Sequence, residues 1–169
     1  EAPYLATIPS PLYVKADAQG TQDGSDWANA CTSLQAALDM IRTSGCDSIE
    51  IWVASGTYKP TARTIPSDQR SATFELLSGI SIYGGFAGTE TSASQRDFRT
   101  NETILSGDLN GDDGPNWVNT SDNAYHVITA AGTSPSTTLD GVTVVGGNTT
   151  GGPYLDGGGL WAEYAGVTL

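Results

Sequence analysis

The segment DLNGDDG, residues 108–114, holds the densest set of oxygen-bearing side chains in the chain. Asp108, Asn110, Asp112 and Asp113 place carboxylate and amide oxygens in one turn-prone loop, and these are the ligands that calcium prefers. The match to an EF-hand loop is partial, because Asp113 stands where glycine is needed and Asn119 where a bidentate glutamate is expected. The pattern predicts a calcium site on these four residues, and the alternative is a solvated turn rich in Asp and Asn.

A second acidic loop, DAQGTQDGSD, is a weaker calcium candidate through Asp17, Asp23 and Asp26. The sequence contains no clear set of catalytic residues. The sole histidine, His126, lies in a predicted strand and has no neighbours that resemble a Ser-His-Asp triad. With 19 acidic residues, carboxylate pairs arise by coincidence and do not indicate a hydrolase. We therefore predict no catalytic residue.

A polysaccharide lyase would need a basic group near the uronate that it cleaves. Arg96 and Arg99, in QRDFRT, are the densest basic spot and precede the acidic loop. The favoured interpretation is that both arginines hold the loop through ion pairs with Asp97 or its neighbours. A lyase stays the alternative.

Two further features concern glycans. Trp52 is predicted to lie on the outer side of its strand, where its flat ring could stack on a sugar; Trp27, Trp117 and Trp161 are alternatives, and packing under a loop is the competing interpretation. Three sequons predict N-glycosylation if the source has the machinery: Asn101, Asn119 and Asn148.

Cys31 and Cys46 are the only cysteines and flank the one strongly predicted helix. An even count in a secreted chain favours a disulfide. However, a helix between them would separate the thiols, so the chain would have to double back sharply to join them. Two buried thiols are the alternative.

The composition of the chain limits the classes of partner that it can bind. The net charge is −12 with only seven Lys and Arg among 169 residues, so a surface that follows nucleic-acid phosphates is excluded. No apolar run approaches the roughly 20 residues that cross a bilayer, so membrane insertion is not expected. The start, EAPYLATIPSP, suits a mature terminus left by signal-peptide removal, and we expect an extracellular or cell-surface location.

The helix is predicted within TSLQAALDMIRTSG, with Thr32 and Gln35 as a capping box and Gly45 as its stop. From Ser48 onward the pattern changes to short strands with period two. One strand motif recurs after Gly79, Gly141 and Gly166, at separations of 62 and 25 residues. Because a solenoid coil takes roughly 20–25 residues, this spacing predicts stacked coils.

The order of the motifs IEIWVASGTYKPT, IYGGFAGTETSASQRDFRTNETILSGDL and LDGVTVVGGNTTGG resembles the N-terminal region of bacterial extracellular right-handed parallel β-helix proteins of the pectin-lyase-like fold. The resemblance implies an all-β, right-handed parallel β-helix with an N-terminal capping α-helix. We expect an extended arm at 1–12, a cap at 13–47 and coils at 48–169. The function expected is a non-enzymatic extracellular structural or adhesive protein; the alternative is a carbohydrate-active or glycan-binding domain.

The last residues, GVTL, predict a strand whose edge nothing in the sequence covers. Val167 and Leu169 would lie at an open apolar end. Either further coils cover it, or another copy does, with Tyr4, Leu5 and Ile8 of the extended arm adding a strand. The second case predicts a head-to-tail homopolymer that forms filaments.

Overall fold

A computed structural model describes residues 8–152 and 155–169 of the chain. It contains one α-helix, α1, and eleven short strands. The strands are β1 Leu12–Val14, β2 Glu50–Ala54, β3 Gly56–Tyr58, β4 Phe74–Glu75, β5 Ser81–Phe86, β6 Thr103–Ser106, β7 Ile128–Ala131, β8 Thr137–Asp140, β9 Val142–Val145, β10 Leu160–Glu163 and β11 Val167–Thr168. Helix α1 spans Leu34–Ser44, and four single 3₁₀ turns lie at Gln69–Ser71, Ala93–Gln95, Pro115–Trp117 and Thr120–Asp122.

The strands form three small parallel sheets. Their orders are β1-β2-β5-β8-β11, β10-β7-β4 and β3-β6-β9. From β3 onward, consecutive strands enter different sheets, so each connection crosses from one sheet to another instead of forming a hairpin. Strands that are adjacent in a sheet are therefore far apart in sequence, as parallel pairing requires.

The prediction of an all-β right-handed parallel β-helix is wrong: the described residues form a mixed α/β fold with one helix and three small parallel sheets, and not a solenoid. The inference failed at the repeated glycine motif. Two copies, β5 and β11, lie in the five-stranded sheet, but the copy after Gly141 forms β9 in a different sheet. Copies of a true repeat occupy equivalent positions, so the shared residues reflect strand and turn chemistry and not a repeating unit.

Helix α1 agrees closely with its predicted pattern. Its buried residues include the whole predicted apolar face, Leu34, Ala37, Leu38 and Ile41. It ends at Gly45, whose left-handed backbone (φ 71°) lets its N–H bond to the Ile41 carbonyl. The N-terminal cap differs by one residue from the prediction, because Ser33 and not Thr32 accepts the Ala36 N–H at 3.1 Å.

One hydrophobic cluster runs through the molecule and crosses the boundaries predicted at residues 12 and 47. It joins Leu12 of β1 and Leu38 of α1 to Ile51, Ile82 and Leu139 of the five-stranded sheet. The helix contacts β1 and β4, so it covers the end of the molecule where those two edge strands lie. Cap and strands thus share one core.

Leu38→Asp should unfold this end of the molecule. Leu38 is fully buried, and a carboxylate placed there without a partner costs several kcal/mol. We expect the melting temperature (Tm), followed by circular dichroism, to fall by more than about 10 °C. Ala36→Asp, on the exposed side of the same helix, is the matched control and should leave the Tm nearly unchanged. Equal Tm values for both variants would contradict the burial of α1.

Candidate binding cleft and acidic loop

The three-stranded sheet carries one row of side chains that faces a cleft. The register places Thr129 of β7 beside Glu75 of β4 and beside Trp161 of β10. The preceding residues, Phe74 and Ile128, are fully buried in the core, so the alternation of a strand brings this row to the other side of the sheet. The cleft has a volume of about 380 Å³ and is lined by Thr64, Ile65, Arg70, Ser71, Thr73, Glu75, Tyr125, His126, Thr129, Ala131 and Trp161.

Arg70 and Tyr125 form one wall. The guanidinium lies 4.3 Å from the centre of the Tyr125 ring, within the range of a cation–π contact. Its three nitrogens donate to three backbone carbonyls: Nε to Asn123 at 2.7 Å, Nη1 to Thr150 at 2.9 Å and Nη2 to Asn148 at 2.5 Å. Arg70 therefore ties two distant segments, one at Asn123 and one at Asn148 and Thr150, to the cleft wall, and these bonds occupy much of its donor capacity.

The other polar groups of the cleft are also held in place. Glu75 pairs with Arg42 of α1 at 3.0 Å. Burial and the nearby Asp68 carboxylate raise the pKa of Tyr125, so this phenol is neutral around pH 7. The Ser71 hydroxyl bonds to the carbonyls of Ile65 and Asp68, at 2.9 and 2.7 Å. The hydroxyl of Ser71 therefore supports the loop above the cleft.

His126 lies at the base of the cleft and is 8% exposed. Its Nδ1 is 3.1 Å from the Gly157 carbonyl oxygen, and its ring centre is 5.9 Å from that of Trp161. The sequence favoured a packing role over a catalytic one for His126, and these contacts fit that role. What the sequence missed is that His126, Tyr125 and Trp161 share one cleft, because β10 follows β7 by about 30 residues and pairs with it directly.

The acidic loop brings together a different set of carboxylates from the predicted one. One oxygen from each of Asp108, Asp112 and Asp122 lies within 4.8 Å of the others. Asp113 instead accepts the amide of Asn123 at 2.8 Å, and Asn110 offers its backbone N–H to Asp122 at 3.1 Å. Asp122 was missed because the 3₁₀ turn Thr120–Asp122 folds it back onto a loop ten residues upstream.

Asp108 is the most constrained of the three. Partial burial raises its pKa, but backbone N–H donors from Gly111, Asp113 and Asp112, together with the charge of Lys59, outweigh this effect and set the pKa below its usual value. Asp108 is therefore ionised around pH 7. In the weaker candidate loop, Asp23 and Asp26 accept hydrogen bonds from Ser25 and Asn29 within their own turn, which is the solvated-turn alternative.

Trp52 does not offer a surface to a glycan, because it is 6% exposed. Its ring stacks on Phe86, with centres 4.9 Å apart and planes at 11°, and Tyr13 meets it edge-on. The prediction for Trp52 is corrected, since the ring packs beneath neighbouring aromatic side chains. Trp27 joins the same cluster and donates its Nε1–H to the Glu90 carbonyl at 2.8 Å.

Both cysteines are free thiols, so the predicted disulfide between Cys31 and Cys46 is absent from the structure. Cys31 lies buried beside the sulfur of Met40, 3.5 Å away, and burial raises its thiol pKa. The buried-thiol alternative thus fits Cys31, whereas Cys46 is half-buried just after the helix. In sequence, Cys31 precedes the helix and Cys46 follows it.

Of the two arginines, Arg96 forms an ion pair with Asp140 and lies 5.1 Å above the Tyr83 ring. It anchors its loop, as the favoured interpretation had it, but to a partner other than Asp97. Asp97 itself accepts the Arg99 backbone N–H at 3.0 Å. Neither arginine lines the cleft.

The three sequon asparagines differ in their surroundings. Asn148 uses its side chain within the fold, donating to the Thr120 carbonyl at 2.7 Å and accepting the Thr150 N–H at 3.0 Å. Asn119 donates to the Asp112 carbonyl at 2.9 Å. Glycosylation of all three stays a prediction, and on Asn148 the glycan would be attached to the Nδ2 atom that donates to the Thr120 carbonyl.

The five residues predicted to mediate assembly also differ in their surroundings. Tyr4 and Leu5 lie outside the described residues. Ile8 is partly buried against the core of its own chain, and its predicted contact with another copy stays a prediction. Val167 is partly buried and Leu169 is 78% exposed, on the edge strand β11 and just after it. Self-assembly through these two residues stays a prediction.

Comparisons with protein-family models, curated proteins and solved structures found no match for this chain. The resemblance to extracellular β-helix proteins therefore rests on sequence motifs alone. Within residues 8–152 and 155–169, no helix has the length and hydrophobicity needed to cross a membrane.

Arg70→Met should loosen the cleft wall. Three charge-assisted hydrogen bonds to carbonyls are lost, and with partial exposure we expect a loss of about 2 kcal/mol, or a fall in Tm of roughly 5 °C. Arg63→Met is the control, because Arg63 is exposed and donates to one carbonyl, that of Pro66. Thermal melts of both variants are the measurement. An unchanged Tm in Arg70→Met would show that the two segments keep their positions without these hydrogen bonds.

The acidic loop should respond to calcium. Relief of repulsion among Asp108, Asp112 and Asp122 would raise the Tm in calcium above that in chelator, by an amount that grows with occupancy. Asp122→Asn should abolish this difference, whereas Asp23→Asn in the other acidic loop should preserve it. Superimposable melts of the unsubstituted protein with calcium and with chelator would exclude the site.

Proposed function

We propose that this protein is a non-enzymatic, adhesive domain that binds a neutral carbohydrate chain in the cleft on β4, β7 and β10. The observation that carries the proposal is the row of Glu75, Thr129 and Trp161 across the floor of a 380 Å³ cleft. The volume lies within the range of small-molecule sites. The row combines an aromatic face with hydrogen-bonding groups at a fixed spacing.

A sugar ring suits such a lining. Its C–H faces pack on flat aromatic side chains, and its hydroxyls both donate and accept hydrogen bonds. Trp161 and Tyr125 provide the aromatic surfaces, while Glu75 provides a carboxylate acceptor and Thr129 a hydroxyl on the floor of the cleft. Most other lining groups are apolar or engaged within the protein.

Charge favours a neutral sugar over a uronate. The chain carries −12, so a polyanionic glycan is repelled at long range. Among the described residues that line the cleft, the one cationic group is Arg70, which is bound to three carbonyls and the Tyr125 ring. This arrangement also counts against the lyase alternative, which needs a basic group free to act on the substrate.

The groups engaged within the fold support binding without turnover. Glu75 pairs with Arg42, and the Ser71 hydroxyl is bound to backbone, so neither is poised as a base or nucleophile. An extracellular or cell-surface location completes the proposal, and it rests on the acidic, lysine-poor composition.

The proposal is tested by calorimetric titration with neutral hexasaccharides of glucose, mannose and xylose, and with a galacturonate hexamer as the charged counterpart. At least one neutral chain should bind, and Trp161→Ala should weaken it roughly tenfold. Tyr164→Ala is the matched control, because Tyr164 is an aromatic residue near β10 that is 94% exposed and does not line the cleft.

Three results would contradict the proposal. Binding of none of the neutral chains would remove the ligand class, and unchanged affinity in Trp161→Ala would remove the cleft as the site. Sustained release of reducing ends or of unsaturated sugars from any of these chains would show an enzyme.

A further inference from the structure

A second groove, of about 390 Å³, lies on the other side of Arg70. It forms where the loop after β6 meets the segment after β9, and its lining includes Asp113, Trp117, Asn123, Asn148 and Thr150. Unlike the mostly apolar cleft, the groove has about as much polar as apolar lining surface. Among the described residues, those that line the cleft and those that line the groove do not overlap.

Trp117 is the most unusual residue of this groove. It is 89% exposed, and its backbone is left-handed (φ 62°), as are those of Asn116 and Asn119. A bulky side chain in this region strains the backbone, and burial of the indole does not offset that strain because the side chain is exposed. Folding therefore does not account for a tryptophan at this position.

The loop nevertheless holds Trp117 firmly. The Gly114 N–H donates to the Val118 carbonyl at 2.9 Å, which closes the loop at its base. The Thr120 hydroxyl donates to the Trp117 carbonyl at 3.3 Å, and the Asn119 amide to the Asp112 carbonyl at 2.9 Å. The indole is thus presented to solvent from an ordered support, which lowers the entropy cost of binding a ligand.

The groove also holds an unsatisfied acceptor. Asn123 is 2% exposed, and its amide nitrogen donates to Asp113. Its Oδ1 accepts no hydrogen bond from any residue in the described part of the chain. A buried acceptor without a donor is unfavourable, so the site favours a ligand that brings hydroxyl or amide donors.

Arg70 connects this groove to the cleft. Arg70 itself lines the cleft, and the three residues whose carbonyls it binds, Asn123, Asn148 and Thr150, all line the groove. The two sites therefore share a wall, and a chain that passes this wall would meet both.

We propose that the groove is a second carbohydrate subsite, in which Trp117 stacks on a sugar ring and Asp113 and Asn123 accept hydrogen bonds from its hydroxyls. The ligand class rests on the proposed function. The site itself does not, because it is defined by Trp117, Asp113 and Asn123.

The indole N–H signals of the four tryptophans in a ¹H–¹⁵N NMR spectrum test this directly. Each signal is assigned by a Trp→Phe variant, and the protein is titrated with the neutral hexasaccharides of glucose, mannose and xylose. The Trp117 and Trp161 signals should both shift. Those of Trp52, which is buried, and Trp27, which packs against the same Tyr13 and Phe86 rings, serve as internal references.

The outcomes separate the two proposals. A shift of Trp161 without Trp117 overturns the second subsite and leaves the cleft standing. A shift of Trp117 without Trp161 supports the groove and counts against the cleft. If neither signal shifts, both proposals fail.

Two variants test the groove by affinity. Trp117→Ala and Asp113→Ala should each weaken binding of the hexasaccharide roughly tenfold in calorimetry. Phe98→Ala is the control, because Phe98 is 53% exposed and lines neither site. Since Trp117 is almost fully exposed, its removal should leave the fold intact. Unchanged affinity in both variants would overturn the proposal.

Discussion

Parallel pairing of very short strands is the constraint on which the rest of this structure depends. Its strands have two to six residues, too few for any of them to be stable alone. Each gains its backbone hydrogen bonds from strands that lie far away in sequence, such as β2 with β5 and β5 with β8. Each strand therefore depends on distant parts of the chain for its stability. In the described part of the chain, helix α1 contacts the edge strands β1 and β4 at one end of the molecule.

This pairing also creates the candidate sites. Because side chains alternate along a strand, the register that buries Phe74, Ile128 and Leu160 against the core places Glu75, Thr129 and Trp161 together on the opposite side of the sheet. The strand register thus sets the position of the cleft, and the residues at the outward positions determine which ligand it can bind. Arg70 holds the loops at the wall of the cleft in place through its hydrogen bonds to the carbonyls of Asn123, Asn148 and Thr150.

Charge shapes what such a surface can bind. Most of the acidic residues are exposed, and several are engaged in turns: Asp23, Asp97 and Asp108 accept backbone N–H groups of their own loops. These bonds keep loops ordered without a large core beneath them. Two arginines have a similar role: Arg70 joins its turn to two other loop segments, and Arg96 joins its loop to Asp140 of β8. These two cations therefore hold the fold together, while most of the acidic residues face solvent.

The sequence alone was enough to predict features that depend on residues close together in the chain. The helix was predictable because its apolar spacing and Gly45 stop act within a few residues, and short strands with turns followed from glycine, β-branched and Asx patterns. The acidic loop was visible for the same reason. The solenoid prediction failed because a strand motif records strand and turn chemistry, not the sheet that the strand joins.

Only the tertiary structure decided which distant residues meet. It placed Asp122 with Asp108, buried Trp52 under Phe86, and brought Trp161 to Tyr125 across the pairing of β10 with β7. It also set Trp117 at the rim of a groove whose other side is formed some 30 residues later. Contacts of this kind depend on register and on loop closure across the whole chain, and no local pattern encodes either.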